Sequence, residues 1–268
     1  MHPARIAELL EPFLLDSCHS EPGQRPSESL PRGARRKPAL SLPKGEPAVL
    51  SPTQLQSIST YIDILQRWNA RLNLTAIRNE EEIVTRHFGE SLFAASHLFP
   101  RIYPVYPVPP VVKDVGVEVE VDVAEARSPK AEARLADLGS GAGFPGIPIK
   151  LWTPNIALTL IESNQKKSTF LREVARALTL TDIDIQNVRA ETVPPSSFEI
   201  VTLRAVERLS KVLPVAADLV APQGRLALLI AHSQLESTRS ALPNMTWQPP
   251  IPIPQSQSRV LLVGTSEP

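Results

Sequence analysis

The sequence predicts an α/β fold with a mostly parallel sheet and helices on both faces. From residue 134 onward, short apolar runs typical of strands alternate with longer amphipathic runs typical of helices. A glycine-rich stretch, ADLGSGAGFPGIPI at 136–149, joins the first of these strands to the first helix. The last stretch, 244–264, has two β segments around a proline-rich turn, which predicts an antiparallel closing pair.

The alternation between residues 134 and 231 assigns five strands and three helices. The strands are expected at 134–138, 156–161, 183–188, 198–203 and 224–231, and the helices at 145–152, 164–179 and 207–220. Because a strand, a helix and a second strand in this order make a parallel pair, residues 134–268 are predicted to form one ligand-binding core.

Helices are predicted ahead of this core. Residues 4–15 have the periodicity of a short amphipathic helix within a first segment, 1–15. In a helical module at 50–99, Ser51 and the proline after it predict a helix start, and Asn79 predicts another. The first of these helices is expected to give way to a polar turn from Asn69, and the second to run to about Phe99.

Two segments have sequence patterns unlike those of the helical module or of the core. Residues 16–49 are rich in Pro, Ser, Gly and Arg, a composition that cannot bury enough apolar area to offset its ordering entropy, so they are predicted to be flexible. In 100–133, valines alternate with mostly acidic or polar residues from Val115 to Val123. This pattern predicts an insertion in the form of a β ribbon or a poorly ordered loop.

Composition narrows the class of protein. The 28 basic and 28 acidic side chains argue against a nonspecific nucleic-acid coat, which would carry a basic excess. Cys18 is the single cysteine, so an intrachain disulfide is impossible and a cysteine zinc site is not expected. With no long apolar run and no leader-like start, the chain is expected to be a cytoplasmic monomer without a membrane contact or a metal.

The glycine-rich stretch contains two overlapping patterns. From Gly139 it is G-x-G-x-G, typical of a loop around S-adenosylmethionine; from Gly141 it is G-x-G-x-x-G, typical of a dinucleotide loop. Asp137 lies in the strand, where dinucleotide folds carry an apolar residue, and Glu162 ends the next strand, where a carboxylate can accept ribose hydroxyls. Glu162 fits either ligand, but Asp137 and the first pattern favour S-adenosylmethionine.

At this point the sequence resembles a known family, the bacterial ribosomal RNA small subunit methyltransferase G family, also called glucose-inhibited division protein B. The resemblance is carried by the glycine loop with its F-P-G-I-P continuation, by E-S-x-x-K-x-x-x-F-L-R from Glu162, and by strand four ending in R-A. Upstream, W-N-x-x-x-N-L-T from Trp68 and R-H-x-x-x-S from Arg86 are similar to its N-terminal signature. It covers roughly 50–99 and 134–231.

The resemblance implies a Rossmann-like class I S-adenosylmethionine-dependent methyltransferase with a helical N-terminal extension. The implied activity is methyl transfer to N7 of one guanine in 16S rRNA, in the small ribosomal subunit or an assembly intermediate. The chain departs from the family pattern at 16–49, at 100–133, and at Ala231-His232, where Lys-Gly is expected. An NAD-dependent oxidoreductase and a non-catalytic ribosome-assembly factor that keeps this fold remain alternatives.

Candidate cofactor residues surround the glycine loop. Gly139, Gly141 and Gly143 are expected to line the methionine end and Glu162 the ribose, while Asp137 orients the loop or the methionine amine. The resemblance implies that Ala190 and Glu191 border the adenine. Phe144 and Arg204 are also predicted among the cofactor-binding residues.

Other candidates face the substrate. Guanine N7 has a free lone pair, so catalysis needs positioning and no catalytic base. Arg204, after strand four, is predicted to position the substrate, unless it pairs with Glu162 or Glu207. Phe144 is predicted to be exposed enough to stack on a base. His87 is expected to be a packing residue. The candidate RNA contacts are Asn69, Asn73, Arg86, Lys166, Lys167 and Arg172.

Overall fold

The computed structural model describes residues 1–15, 50–100, 133–204 and 209–267. The predicted flexible segment at 16–49 and nearly all of the predicted insertion at 100–133 lie outside these residues, so those two predictions stay untested. Residues 205–208, which follow the fourth strand, also lie outside them.

Two helices form the first layer of the N-terminal module. Helix α1 spans Pro3–Leu15 and α2 spans Pro52–Leu72. The predicted start of α2 is confirmed, because the Ser51 side chain accepts a hydrogen bond from Gln54 N and the Gln54 side chain accepts one from Ser51 N. This reciprocal pair satisfies two backbone donors that the first turn of a helix leaves free.

Helix α2 continues past the predicted turn at Asn69 and ends at Leu72. Asn69 is buried, and its amide accepts from Thr75 N at 2.9 Å and donates to Thr75 O at 3.0 Å. Asn73 then stops the helix in the left-handed conformation, with φ of 52°. The polar run is therefore a helix C-cap that folds back on α2. Its composition alone does not distinguish such a cap from an open turn.

The second predicted helix of the module has three parts. Asn79 caps α3, Glu80–Glu82, with its side chain accepting from Glu82 N. A π-helical segment, Ile83–Gly89, follows and leads into α4, Glu90–Leu98. The start and end agree with the prediction, whereas the π-helical segment was not anticipated. Wider turns of this kind are rare and occur often at functional sites.

Between residues 134 and 231 the core alternates strands and helices as predicted. Beyond them, the helix at Leu235–Ala241 was not anticipated, and three strands lie where two β segments were predicted. The elements of the core are β1 Arg134–Leu138, α5 Gly146–Trp152, β2 Ala157–Ile161, α6 Gln165–Ala177, β3 Ile183–Gln186, β4 Phe198–Arg204, α7 Leu209–Asp218, β5 Val220–Ala231, α8 Leu235–Ala241, β6 Met245–Trp247, β7 Ile251–Pro252 and β8 Arg259–Ser266. The sheet order is β3-β2-β1-β4-β5-β8-β6, with β7 also on β8. Strands β1 to β5 are parallel, and β8 is antiparallel to β5, β6 and β7.

The sheet separates two apolar cores. On one face, α1, α2, the helical run at 80–98, α5 and α6 pack together around Phe88, Phe93 and Phe170. On the other face, α7 and α8 pack against β4 and β5. The N-terminal module therefore covers one face of the sheet and reaches the carboxyl ends of its central strands. None of the helices in the described ranges is both long and apolar enough to cross a membrane.

Candidate active site

A cleft of about 360 Å³ opens at the carboxyl ends of β1 and β2. Gly139 and Glu162 lie on its wall, together with the turn after β3 that contains Ala190 and Glu191. Val212 and Val215 of α7 also line it. In parallel sheets, ligands bind at this edge, where connections leave in opposite directions on the two sides. The tertiary structure thus brings together four residues that the sequence placed at one site from separate segments.

Three glycines give the loop after β1 its shape. Gly139, Gly141 and Gly143 have φ angles of 66°, 56° and 83°. An added Cβ on Gly139 would meet nothing within 4 Å, and one on Gly141 would meet only Gly139 O, at 3.7 Å. A Cβ on Gly143 would fall on the Tyr61 hydroxyl and lie 2.7 Å from Ile147 Cδ1. The first two glycines therefore leave space beside the loop, whereas Gly143 packs against the interior.

The Glu162 carboxylate is held in place by two backbone groups. Its Oε2 accepts from Gly141 N at 2.9 Å and its Oε1 accepts from Asn164 N at 2.7 Å, and the residue is 7% exposed. An ionised carboxylate has about four acceptor sites, so both oxygens keep acceptor capacity. A fixed acidic acceptor on a cleft wall fits the paired hydroxyls of a nucleoside.

Asp137 lies beneath the glycine loop and not among the residues that line the cleft. It is fully buried and accepts hydrogen bonds from Thr202 Oγ1 at 2.9 Å and from Gly146 N at 3.2 Å. Burial raises the pKa of Asp137 to about 7, against the lowering effect of these hydrogen bonds. Asp137 was predicted to orient either the loop or the methionine amine, and its hydrogen bonds show that it orients the loop.

Phe144 is covered, and the prediction that it is exposed for base stacking is wrong. The ring is stacked on Tyr61 at 5.3 Å and on His87 at 4.7 Å, and Phe144 is only 7% exposed. Tyr61 also donates a hydrogen bond to Ala142 O. The N-terminal module lies over the loop and fills the space in which a base would stack. The sequence of the loop alone does not show that a separate segment packs on it.

His87 is a packing residue, as predicted. Besides the ring stack, its Nε2 lies 2.8 Å from Thr75 Oγ1. Burial, followed by the charges of Arg204, Arg86 and Arg259, lowers the pKa of His87 to about 3. The imidazole is therefore neutral at physiological pH and serves the N-terminal module as an apolar ring with one polar contact.

Arg204 forms a buried ion pair instead of lining the cleft. It is 8% exposed, its Nη2 lies 3.3 Å from Glu90 Oε2, and the same nitrogen donates to Arg86 O at 2.7 Å. Burial lowers the pKa of Arg204 to about 10. Pairing was the alternative considered for this arginine, but its partner is Glu90 and not Glu162; Glu207 lies outside the described residues.

The candidate RNA contacts fall into two groups. Asn69 is buried, and its amide is used on Thr75, so the structure contradicts its assignment to the RNA-facing surface. Asn73 is exposed and accepts from Arg78 Nη2 at 2.6 Å. The other candidates lie on the surface: Arg86, Lys166 and Arg172 are exposed and Lys167 is half-buried.

Sequence reasoning missed Glu90, Arg259 and Tyr61. Glu90 is 1% exposed and contacts Arg86, Arg204 and Arg259. The one signal was an acidic residue at the start of the otherwise apolar, small-residue run SLFAAS. Arg259 could not have been found, because only the antiparallel pairing of β8 with β5 brings it to this edge, opposite Ala231.

The fold and the site together define a class I S-adenosylmethionine-dependent methyltransferase, with S-adenosylmethionine as its cofactor. The features are the strand order, the antiparallel β8 beside β5, the glycine loop after β1 and the acid after β2.

Comparison with known sequences identifies the family. The model of the GidB family, described as rRNA small subunit methyltransferase G, matches residues 54–103 and 121–249. The chain belongs to this family, which favours methyl transfer over the hydride transfer considered as an alternative.

Curated relatives agree with this assignment. Ribosomal RNA small subunit methyltransferase G of Bacillus pumilus is 32% identical over 71% of this chain and 70% of its own length. The protein of that name from Xylella fastidiosa is 36% identical over 62% of this chain and 64% of its own length. The one from Bacillus cytotoxicus is 30% identical over 80% of this chain and 83% of its own length. The matches to the first two therefore span about two thirds of those relatives.

Proposed function

We propose that this chain transfers a methyl group from S-adenosylmethionine to N7 of one guanine in 16S rRNA. The observation that carries the proposal is the cleft in which Gly139, Glu162, Ala190 and Glu191 meet. Its volume of about 360 Å³ lies within the range of small-molecule sites. The family supplies the class of substrate, since its relatives are named as enzymes of the small ribosomal subunit RNA.

The residues of the cleft suit an adenosine-containing cofactor. Glu162 would accept hydrogen bonds from the ribose hydroxyls, and Gly139 would let the backbone approach the methionine end without a side chain between them. The 3₁₀ turn at Ala190–Thr192 would border the adenine. When bound, S-adenosylmethionine supplies an electrophilic methyl group on a sulfonium.

Methylation at N7 asks for positioning and not for a base. The N7 lone pair of guanine is free at neutral pH, so no proton has to leave before the attack. The protein would hold N7 in line with the methyl group of the sulfonium and keep water out. A glycine loop with a fixed geometry would help to do both. We place this reaction in the cytoplasm, on 16S rRNA within the small subunit or an assembly intermediate.

The test is methyl transfer to ribosomes that lack the modification. Small subunits and naked 16S rRNA from a strain without this gene are incubated with the protein and tritiated S-adenosylmethionine, and 7-methylguanosine is mapped in the product. A single labelled guanine in 16S rRNA is expected. The Gly141→Val variant, whose side chain would fill the space through which the backbone approaches the cofactor, is expected to give none. Label at a different atom, in a different RNA or in protein would overturn the proposal.

A further inference from the structure

Three arginines converge on one carboxylate beside the end of β4. Arg86 Nε lies 3.3 Å from Glu90 Oε1, while Arg204 Nη2 and Arg259 Nε lie 3.3 Å and 3.1 Å from Glu90 Oε2. We call Arg86, Arg204, Arg259 and Glu90 the arginine cluster. It joins the π-helical segment and α4 of the N-terminal module to β4 and β8 of the core, so two parts of the fold supply its charges.

The arginine cluster has more positive than negative charge among the described residues. Three guanidinium groups face one carboxylate, and Arg204 and Arg259 are only 8% and 16% exposed. Asp137 is the other carboxyl whose charge acts on Arg204, and with a pKa of about 7 it is only partly ionised at neutral pH. Buried charge without a counter-charge is costly, so an excess of this kind calls for an anion.

Donors in the arginine cluster also lack partners. Within the described residues, the buried Nε atoms of Arg204 and Arg259 make no hydrogen bond, and neither does Glu90 Oε2. Arg259 Nε lies 3.1 Å from that oxygen, so Arg204 Nε is the donor that no acceptor approaches. Buried donors are nearly always paired, and an unpaired one such as Arg204 Nε calls for an acceptor from outside the protein. Arg86 is about half exposed, so the cluster can be reached from solvent on that side.

The cluster lies at the same edge of the sheet as the cleft. Arg204 ends β4, whose preceding residue, Leu203, is in register with Leu138 at the end of β1. Arg259 begins β8 opposite Ala231, the last residue of β5. Arg204 also lies 6.0 Å from the centre of the Phe144 ring in the glycine loop. A macromolecule that presents a base at this edge would pass over the cluster.

We propose that the arginine cluster binds a backbone phosphate of the RNA substrate, and that Glu90 is the positioning residue that holds the three guanidinium groups together. This rests on the function proposed above and deepens it, because it names the place where the substrate backbone is gripped. Planar guanidinium groups match the geometry of the oxygens of a phosphodiester. The three of them in the cluster carry more positive charge than the one carboxylate of Glu90 can neutralise.

The test compares Arg86→Gln and Arg259→Gln with Arg134→Gln as matched control. Arg134 is also ion-paired, with Glu199 at 2.7 Å, but it begins β1 at the opposite edge of the sheet. Affinity for a 16S rRNA fragment is measured against salt concentration, affinity for inorganic phosphate is measured by calorimetry, and affinity for S-adenosylmethionine is measured separately. Circular dichroism checks that each variant is folded.

Each cluster variant is expected to bind the RNA fragment about tenfold more weakly and to lower the slope of log affinity against log salt by about 1. Phosphate affinity should fall in parallel, S-adenosylmethionine affinity should stay within twofold, and Arg134→Gln should match the unmodified protein. Arg259→Lys, which keeps the charge without the fork, should recover part of the loss.

Three results would overturn either the phosphate site or the proposed function on which it rests. If both cluster variants match Arg134→Gln for RNA and for phosphate while the protein still methylates 16S rRNA, the phosphate site is wrong and the proposed function stands. If S-adenosylmethionine affinity falls instead of RNA affinity, the cluster holds the cofactor carboxylate. If phosphate binding depends on the cluster but 16S rRNA is never methylated, the anion site stands and the proposed function fails.

Discussion

Gly141 and Glu162 are joined by a 2.9 Å hydrogen bond from the glycine N–H to the carboxylate. The bond ties the loop after β1 to the turn after β2, so the two parts of the cleft wall that come from separate segments are held in one geometry. A ligand that contacts Glu162 therefore meets a loop that is already positioned, and less ordering entropy is lost on binding.

Glu162→Ala is expected to weaken S-adenosylmethionine binding by about 1–3 kcal/mol, because charged hydrogen bonds to the ribose are lost and Gly141 loses its acceptor. Isothermal calorimetry measures the effect. Glu236→Ala, which removes a carboxylate that is 89% exposed, is the control and should leave the affinity unchanged. An unaltered affinity in Glu162→Ala would show that the ribose lies elsewhere.

Gly143→Ala should lower the free energy of unfolding more than Gly141→Ala does. Both glycines have positive φ, which costs a non-glycine residue about 1–2 kcal/mol. Only the Cβ at 143 would collide with Tyr61 and Ile147, which adds overpacking of about 1–3 kcal/mol. Urea unfolding should therefore show the larger loss for Gly143→Ala. Equal losses would mean that the core under the loop yields more easily than its packing indicates.

His87 and Asp137 should give opposite pH dependences of stability. Burial lowers the pKa of His87 to about 3 from its ordinary 6.5, so between these values only the unfolded chain carries this proton and stability rises with pH. Burial raises the pKa of Asp137 to about 7 from 3.8, so over that interval only the folded chain carries the proton and stability falls as pH rises. Each slope is up to about 1.4 kcal/mol per pH unit.

The two contributions overlap, so substitution of one residue should reveal the other. Relative to the unmodified protein, His87→Gln should lose the rise, and its stability should decline from about pH 4 toward pH 7. Asp137→Asn should lose the decline, and its stability should climb from about pH 3 to pH 6.5. Urea unfolding at half-unit steps of pH measures both slopes. Parallel profiles in the two variants would contradict the assignment.

Phe144→Ala is expected to lower the free energy of unfolding by about 3–5 kcal/mol, as for other buried aromatic residues. The ring is packed between Tyr61 and His87, so its loss leaves a cavity beneath the N-terminal module. Denaturant unfolding gives the value, and RNA affinity measured on the folded variant is the second readout. Unchanged stability with weaker RNA binding would restore the stacking role that the structure argues against.

Much of the core could be predicted because its signals are local. Strand–helix alternation from residue 134, the capping groups Ser51 and Asn79, and the glycine pattern each depend on a few neighbouring residues. Glu162 was predicted because the end of the second strand has a fixed place relative to the first loop in a parallel sheet. The meeting of Glu162 with the turn at 190–191 follows from the same topology.

Two of the predictions that failed, for Phe144 and Arg204, depended on contacts between distant segments, and the third, for Asn69, depended on a short-range contact at the end of a helix. Phe144 looked available because a loop residue is usually exposed, but α2 and the π-helical segment cover it. Asn69 looked like part of an open turn, but its amide is used on the backbone of Thr75. Arg204 had two candidate partners nearby in the predicted fold, and its observed partner, Glu90, comes from the N-terminal module.

The amino-acid sequence alone sets the order of elements, the parallel core and the cleft in which an acid faces glycines. These features depend on hydrophobic periodicity, helix caps and turns, which act between residues close together in the chain. Which charges are buried together was decided only when the N-terminal helices packed across the sheet edge and β8 returned antiparallel beside β5. Desolvation and ion pairing depend on what surrounds a side chain in space, and that neighbourhood exists only after folding.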